Sequence, residues 1–324
     1  MKVLDKLRKL ATWGLPLLTL CAQPAAADGA EFEGRWEGAI LMTPGRHEVD
    51  FEVELRHDAD GEWAGDLSLT ILGLLDRPLE DVTVTGSSLS FVAVEDDEVS
   101  AFRGDLTDHG VAIEGELYEG GRKYPFRLER RAGDEPEPPA PQLHLLADAD
   151  QLKAAFNRDR GKVRFLQFYS PKCEICRMSA RMVERHVLDE VGSDELRGYL
   201  VWQPVFQYYD PEAEQEDRRS AEQATALVTD PRVTHFWTES TVIAESFRGV
   251  LGIEEDPVWN VILVFSRDAT WGDDAPRPET FMYRMLKGLP DDKQFNAYTL
   301  ADTIRGQLAK AYGGAEVAAG DASR

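Results

Sequence analysis

The chain has 324 residues, more than one hydrophobic core usually supports, so we expect about two domains. Hydrophobic residues make up 43% and charged residues 29% of the chain, a globular balance that excludes wholesale disorder and a polytopic membrane protein. With 36 Lys and Arg against 59 Asp and Glu, the formal net charge is -23, and such an excess of carboxylates repels phosphate backbones. We therefore expect no nucleic-acid partner.

The first 27 residues have the pattern of an export signal. A basic start is followed by an apolar stretch over residues 10–22 and by a small-residue cleavage site over residues 25–27. The apolar stretch is shorter than the ~20 residues that cross a bilayer. We therefore expect cleavage after Ala27, no stable membrane span afterwards, and a periplasmic or secreted protein. Cys21 lies in this segment, so Cys173 and Cys176 are the cysteines of the mature chain.

Residues 28–133 have the pattern of an antiparallel β-domain. Apolar and polar residues alternate in short runs, and in one of them Val49, Phe51, Val53 and Leu55 point to the same side. Turn formers such as Asp-Gly and Gly-Gly separate the runs. About eight strands are predicted, at the spacing typical of an all-β barrel or sandwich.

The opening Gly34-Arg35-Trp36 resembles the Gly-x-Trp sequence that begins lipocalin-like barrels. The strands that follow are similar to small β-domains attached to secreted bacterial enzymes. We expect Trp36 to fill one end of the barrel, because aromatic side chains usually occupy the interior of small barrels. The sequence does not identify a ligand for this domain.

A proline-rich, acidic linker follows at residues 134–142. It opens with four prolines and three acids within eight residues, a composition that keeps a chain extended. Proline is disfavoured in the interior of both helices and sheets, so the domain boundary is predicted here. We assign residues 143–312 to a second domain and residues 313–324 to a disordered tail.

Strands alternate with helices in the second domain, which indicates an α/β fold. Strands are predicted at residues 163–169, 199–206, 233–237, 261–265 and 280–286. Helices are predicted at residues 152–156, from residue 176 to about 191, around 221–228, at 242–251 and around 300–308.

Cys173 and Cys176 form a Cys-x-x-Cys sequence between a predicted strand and a predicted helix. Unpaired N–H groups and the positive end of the helix dipole stabilise a thiolate there and lower its pKa. Two thiols at this spacing can close a disulfide, so the pair can accept or deliver two electrons by thiol–disulfide exchange. An inert disulfide and half of a metal site are the alternatives, although a structural zinc needs four ligands and the chain has no second such pair.

At this point the sequence resembles the thioredoxin-like family, over about residues 142–312. The resemblance rests on Phe168-Tyr169-Ser170-Pro171-Lys172-Cys173-Glu174-Ile175-Cys176-Arg177 in its strand-to-helix setting. It implies a thioredoxin-like domain that uses no cofactor, in which Cys173 attacks a substrate disulfide and Cys176 resolves the mixed intermediate. Lys172 and Arg177 add positive charge beside the thiols, against the effect of Glu174 on their pKa.

Inside the motif, Glu174-Ile175 stands where thioredoxins have Gly-Pro, and two positions outside it also depart from the family pattern. Six residues before the first cysteine, thioredoxins place a buried carboxylate, whereas this chain has Gln167, which cannot move protons for the resolving thiol. Before the strand at 261–265, the family has a proline that faces the cysteines, whereas this chain has Trp259-Asn260. Gln167 and Asn260 are therefore candidate supporting residues of a divergent site.

The sequence thus predicts an exported thiol–disulfide oxidoreductase that exchanges Cys173–Cys176 with protein or small-molecule thiols and disulfides. The alternative is a noncatalytic thioredoxin-fold protein that binds a metal or a partner and carries an inert or regulatory disulfide. In a metal site, His235 would join the two cysteines, since imidazole and thiolate suit copper and zinc. The competing interpretation of His235 is a hydrogen-bonded residue at a strand end, and His186 is expected to be exposed on its helix.

Overall fold

The computed structural model of the protein describes residues 29–72, 74–95, 98–131, 139–205, 211–254, 258–284 and 290–320. The predicted export signal and residues 134–138 of the predicted linker lie outside these ranges. Within them, no helix combines the length and the apolar character that crossing a membrane requires.

An antiparallel sheet of nine strands spans residues 34–130. The strands are β1 (Gly34–Thr43), β2 (His47–His57), β3 (Trp63–Leu69), β4 (Leu74–Pro78), β5 (Glu80–Thr85), β6 (Ser88–Glu95), β7 (Glu98–Thr107), β8 (Ala112–Glu119) and β9 (Arg122–Arg130). Their order in the sheet is β4-β3-β2-β1-β9-β8-β7-β6-β5. The first and last strands in the chain are therefore neighbours, and every other pairing joins strands that are consecutive in the chain.

The two edge strands, β4 and β5, are themselves consecutive, and this brings the edges of the sheet together. Leu79, which lies between them, donates its N–H to the carbonyl of Gly65 in β3 at 2.8 Å. The sheet is thus nearly closed into a barrel, which is one of the two architectures that the sequence predicted. The described residues contain nine strands where we expected about eight.

The interior of the barrel is filled by aromatic side chains. In β2, the predicted alternation is confirmed, since Val53 and Leu55 are buried while Glu52 and Arg56 are exposed. The ring of Phe102 lies 5.6 Å from that of Phe51, 4.6 Å from that of Phe91 and 5.7 Å from that of Phe126, measured between centroids. Trp36 is fully buried, and its Nε1–H donates to the carbonyl of Phe32 at 2.8 Å.

A second, mixed sheet of six strands follows the linker. Its strands are β10 (Leu143–Leu146), β11 (Val163–Tyr169), β12 (Leu196–Trp202), β13 (Val233–Thr238), β14 (Val261–Phe265) and β15 (Thr280–Tyr283), in the order β10-β13-β12-β11-β14-β15. The first four strands of that order are parallel, and β14 is antiparallel to both of its neighbours. All seven residues of β11 are buried, as is typical of a parallel strand covered on both faces.

Helices cover both faces of this second sheet. They are α1 (Ala149–Arg158), α2 (Glu174–Val183), α3 (Pro211–Ala224), α4 (Val242–Glu245), α5 (Arg248–Leu251) and α6 (Ala297–Gly320), and a π-helical turn (Glu184–Leu188) continues α2. Side chains of α2 and α6 share a buried cluster with Phe165 and Tyr169 of β11, whereas side chains of α1, α4 and α5 share one with Leu166 and Phe168.

Several bounds differ from the prediction. β11 and β14 have the predicted bounds, but β10 was not predicted, because four residues at a sheet edge carry too little alternation to be detected. The helix expected at 242–251 is two short helices, α4 and α5. The tail expected to be disordered from residue 313 continues α6 as far as Gly320.

The barrel and the second sheet share one apolar cluster. It runs from the barrel interior to the face of the second sheet that carries α2 and α6, and it includes both Ile71 and Cys176. The barrel therefore packs against the same helix that the two cysteines begin.

Candidate functional site

Cys173 and Cys176 lie at the start of α2, directly after β11. Sγ of Cys173 accepts a hydrogen bond from the N–H of Cys176 at 3.2 Å and so caps the helix. The helix begins at Glu174, earlier than the predicted start at Cys176, because this cap satisfies an N–H group of the first turn. Both cysteines are free thiols.

The two thiols differ in burial and in acidity. Cys173 is 7% exposed, whereas Cys176 is fully buried. The hydrogen bond with Cys176 lowers the pKa of Cys173 against the effect of burial, with further help from backbone N–H groups and the charge of Arg284. Burial, followed by the neighbouring Cys173 thiol, raises the pKa of Cys176 well above its ordinary value. Both thiols are buried, and Cys173 is the more accessible of the two and the one that ionises first.

The two predicted flanking cations are engaged away from the thiols. Nζ of Lys172 lies 2.8 Å from a carboxylate oxygen of Asp217 and 3.3 Å from one of Glu216, both in α3. The guanidinium of Arg177 donates to two carbonyls of a 3-10 turn in the barrel (Thr70–Leu72), at 3.4 Å each. Lys172 therefore attaches the motif to α3, and Arg177 attaches it to the barrel.

Gln167 and Asn260 are both buried near the motif, at 1% and 2% exposure. Gln167 lies between Phe165 and Tyr169 on the same face of β11, and this face packs against α2. Asn260 has a positive φ of 53°, and its N–H donates to the carbonyl of Phe168 at 2.7 Å. Among the described residues, Nε2 of Gln167 and both side-chain polar atoms of Asn260 lack a hydrogen-bond partner. Neutral amides therefore stand at both of the positions outside the motif where the sequence departs from the thioredoxin pattern.

Arg284 is a partly buried cation against α2 that no sequence motif marks. Its guanidinium donates to Oγ of Ser179 at 2.7 Å and lies 3.3 Å from Sδ of Met178 and 3.9 Å from Sδ of Met182. It also stands 5.2 Å above the ring of Phe295. The antiparallel pairing of β15 with β14 brings this residue to α2, so the sequence carries no local signal for it.

His235 lies apart from the cysteines as a structural residue of β13. It is 1% exposed; its Nε2 lies 2.8 Å from the carbonyl of Val228, and Nε1–H of Trp202 donates to its Nδ1 at 3.4 Å. Burial lowers the pKa of His235 to about 4. In the part of the chain that the structure describes, no group of three or more His, Cys, Asp or Glu side chains could hold a metal ion. The alternative metal set of Cys173, Cys176 and His235 is therefore not assembled there.

A recess of about 300 Å³ opens between the Cys-x-x-Cys motif and α3. Its walls are Pro171, Lys172 and Arg177 on the motif side and Glu216, Ser220, Gln223 and Ala224 on the helix side. Residues on both sides of Cys173 line the recess, so it lies beside that thiol. Its lining is mostly polar, so it suits a polar or peptide group better than a lipid.

Charged side chains join the barrel to α2 and to the π-helical turn. Asp50 of β2 lies 2.7 Å from the guanidinium of Arg181 and 2.7 Å from that of Arg185. Glu48, also in β2, lies 2.6 Å from Nε2 of His186. His186 is 8% exposed, so the prediction that it is an exposed helix residue was wrong, because the barrel covers this side of the helix.

No protein-family model and no curated protein sequence match this chain. Among solved structures, the wild-type fluorescent protein UnaG is similar at 11% identity with a TM-score of 0.24, over 31% of this chain and 98% of that one. A Schistosoma mansoni fatty acid binding protein in complex with arachidonic acid is similar at 11% identity with a TM-score of 0.25, over 33% of this chain and 100% of that one. At these scores the two matches support no conclusion about what this chain binds.

Proposed function

We propose that this protein is an exported thiol–disulfide oxidoreductase whose Cys173–Cys176 pair exchanges with protein or small-molecule thiols and disulfides. The observation that carries the proposal is the asymmetry of two adjacent thiols at one helix start. Cys173 is the more exposed and has a lowered pKa, whereas Cys176 is fully buried and has a raised pKa. An attacking thiol needs access and thiolate character, and a resolving thiol needs only to reach the mixed disulfide.

The surrounding fold supports a divergent thioredoxin-like domain as the scaffold of this chemistry. The motif follows β11, which pairs in parallel with β12 and antiparallel with β14 at the centre of a mixed sheet. Helices cover both faces of that sheet. Gln167 and Asn260 stand where the resemblance implies a carboxylate and a proline, so proton transfer to and from Cys176 is left to water or to the substrate.

The exchange proceeds in two displacements. The thiolate of Cys173 attacks one sulfur of a substrate disulfide, forms a mixed disulfide and releases the other substrate sulfur as a thiolate. Cys176 then loses its proton and attacks Sγ of Cys173, which closes the Cys173–Cys176 disulfide and releases the second substrate thiolate. Two electrons pass from the pair to the substrate, and the reverse sequence oxidises a substrate dithiol.

Trapping of the mixed disulfide tests this proposal, in a Cys21→Ser background that leaves only the two thiols of the motif. Cys176→Ser should accumulate a covalent adduct with a disulfide-bonded substrate, and dithiothreitol should release it, because the attacking thiol remains and the resolving thiol is gone. Cys173→Ser should trap little. Mass spectrometry of the intact protein reads both results.

Two outcomes would contradict the proposal in different ways. If neither variant captures an adduct and the wild-type disulfide resists millimolar dithiol, the pair is an inert disulfide and the noncatalytic alternative holds. Adducts on Cys173→Ser alone would keep the redox chemistry but reverse the two roles.

A further inference from the structure

Arg284 places a partly buried positive charge against α2. Its guanidinium is held by Ser179, Met178 and Met182, and of these only Ser179 offers an oxygen. Ser179 lies within α2, one turn beyond Cys176, and its own hydroxyl donates to the carbonyl of Ile175 at 2.8 Å. The cation is therefore fixed to the helix that begins at the thiols.

No carboxylate among the described residues forms an ion pair with Arg284. The charge of Glu48 acts on the guanidinium from a greater distance, but that carboxylate already lies 2.6 Å from His186 and 3.4 Å from Arg185. His47 is a further titratable neighbour. Its pKa is lowered mainly by burial and, to a smaller extent, by the positive charge of Arg284. A guanidinium stays protonated in proteins, so this site holds a partly buried cation that no ion pair among the described residues compensates.

The backbone also ties Arg284 to the residue before β14. Its N–H donates to the carbonyl of Asn260 at 3.1 Å, and the N–H of Asn260 donates to the carbonyl of Phe168 in β11. Arg284 is thus positioned from two sides, by the helix that carries the thiols and by the start of β14.

The redox state of the cysteines decides whether this cation has a thiolate near it. In the disulfide, both sulfurs are neutral and give the charge of Arg284 no partner. In the dithiol, the thiolate of Cys173 supplies a negative charge, and the positive charge of Arg284 acts on both cysteines. A cation held on α2 one turn beyond Cys176 therefore favours the reduced state, and stabilising the reduced state makes a disulfide a stronger oxidant.

We propose that Arg284 is a positioning residue that makes the Cys173–Cys176 disulfide an oxidant of protein dithiols. This inference rests on the proposed function and adds its direction. A substrate thiolate attacks Sγ of Cys173 and displaces Cys176, which takes up a proton. A second substrate thiolate attacks the mixed disulfide and releases Cys173 as a thiolate. The substrate gains a disulfide, and two electrons pass to the pair.

Equilibration with thioredoxin tests the direction on the wild-type protein. When the oxidised protein is mixed with an equal amount of reduced thioredoxin, we expect the electrons to move almost completely to Cys173–Cys176, as read by thiol alkylation and mass spectrometry. An equilibrium that keeps thioredoxin reduced overturns the inference and leaves the proposed exchange intact. If no electrons move in either direction from either starting state, the proposed function itself fails.

Substitutions at Arg284 test the cause. In glutathione buffers, Arg284→Met should shift the equilibrium of the pair toward the disulfide by about tenfold, which is about 30 mV for a two-electron couple. Arg284→Lys, which keeps the charge, should lie nearer to the wild type. The matched control is Arg181→Met. Arg181 is a cation of α2 whose charge Asp50 already compensates, so its removal should shift the equilibrium little.

The variants overturn the role of Arg284 if Arg284→Met leaves the equilibrium unchanged, or if Arg181→Met shifts it equally. They also overturn it if Arg284→Lys gives the same value as Arg284→Met, because the effect then does not follow the charge. Should Arg284→Met fail to fold, the wild-type equilibrium with thioredoxin and the Arg284→Lys value still decide the matter.

Discussion

Glu48 is a fully buried carboxylate that reaches from the barrel to the π-helical turn. Burial acts to raise its pKa, but hydrogen bonds from His186 and from the N–H of Gly45, with the charges of His186 and Arg185, lower the pKa below its ordinary value of 4.5. Tyr298 of α6 lies 3.4 Å from the same carboxylate. One side chain therefore links β2, the helix that follows the thiols, and α6.

The lowered pKa of Glu48 predicts a pH dependence of stability. Because the folded pKa lies below the unfolded one, the charged form stabilises the folded protein above pH 4.5, and this contribution is lost as the pH falls through the folded pKa. Glu48→Gln should lower the free energy of unfolding at pH 7 by about 1–3 kcal/mol. The difference from the wild type should shrink below pH 4.5.

Urea unfolding over a pH series measures this difference. Glu80→Gln, which replaces an exposed carboxylate of β5, is the control and should change the free energy of unfolding little at any pH. A difference for Glu48→Gln that stays constant from pH 7 to pH 3 would show that Glu48 acts through packing and not through its charge.

At the scale of elements, α3 forms one wall of the recess beside Cys173. The ion pair of Lys172 with Asp217 fixes this helix beside the motif, and Asp217 is 5% exposed. Ser220 and Gln223 follow on the wall of the recess. A substrate chain that reaches Cys173 through the recess must therefore contact α3.

Filling the recess should separate large substrates from small ones. Ser220→Trp should lower kcat/KM for a protein substrate by about tenfold, since an added side chain in a pocket changes transition-state binding by 1–3 kcal/mol. The reaction with a small disulfide such as glutathione disulfide should change much less. Stopped-flow measurement of thiol oxidation compares the two substrates.

Arg219→Trp is the matched control, because it puts the same side chain on an exposed position next to Ser220 on α3. It should leave both rates close to those of the wild type. Equal losses for the two substrates in Ser220→Trp would show that α3 acts on the thiols themselves and not on access.

At the scale of the whole molecule, the barrel covers the helix that begins at the thiols. Asp50 of the barrel pairs with Arg181 and Arg185. Arg177, nearer the start of the same helix, donates to the 3-10 turn of the barrel. The barrel therefore packs along the helix whose N-terminus carries Cys173. Contacts of this kind limit how often the motif is open to a substrate.

Weakening this contact should expose Cys173. Asp50→Ala removes an ion pair to two arginines, worth about 1 kcal/mol, and a change of that size raises the open population about fivefold. We expect alkylation of Cys173 by iodoacetamide to speed up by a similar factor at pH 7. Peptide mass spectrometry over a time course gives the rate at each cysteine.

Asp66→Ala is the control, because Asp66 pairs with Arg56 within the barrel and does not reach α2. It should leave the alkylation rate of Cys173 unchanged. If Asp50→Ala also leaves that rate unchanged, the barrel does not restrict access to the motif.

The sequence by itself determined the features that depend on neighbours along the chain. Alternation in β2, the mostly apolar runs of β11 and β14, and the spacing of Cys173 and Cys176 after β11 are all local patterns. Local patterns decide which face of a strand is buried and where a helix starts, so the barrel strands and the placement of the two thiols could be predicted without coordinates.

Only the tertiary structure decided which distant side chains surround the thiols. Lys172 was expected to act on them but pairs with α3, His235 was considered as a ligand but bonds within its own sheet, and His186 is covered by the barrel. Arg284 comes to α2 through a strand pairing that no periodicity encodes. The physical reason is that charge, burial and access at a site depend on long-range packing, which acts between residues that the sequence does not place side by side.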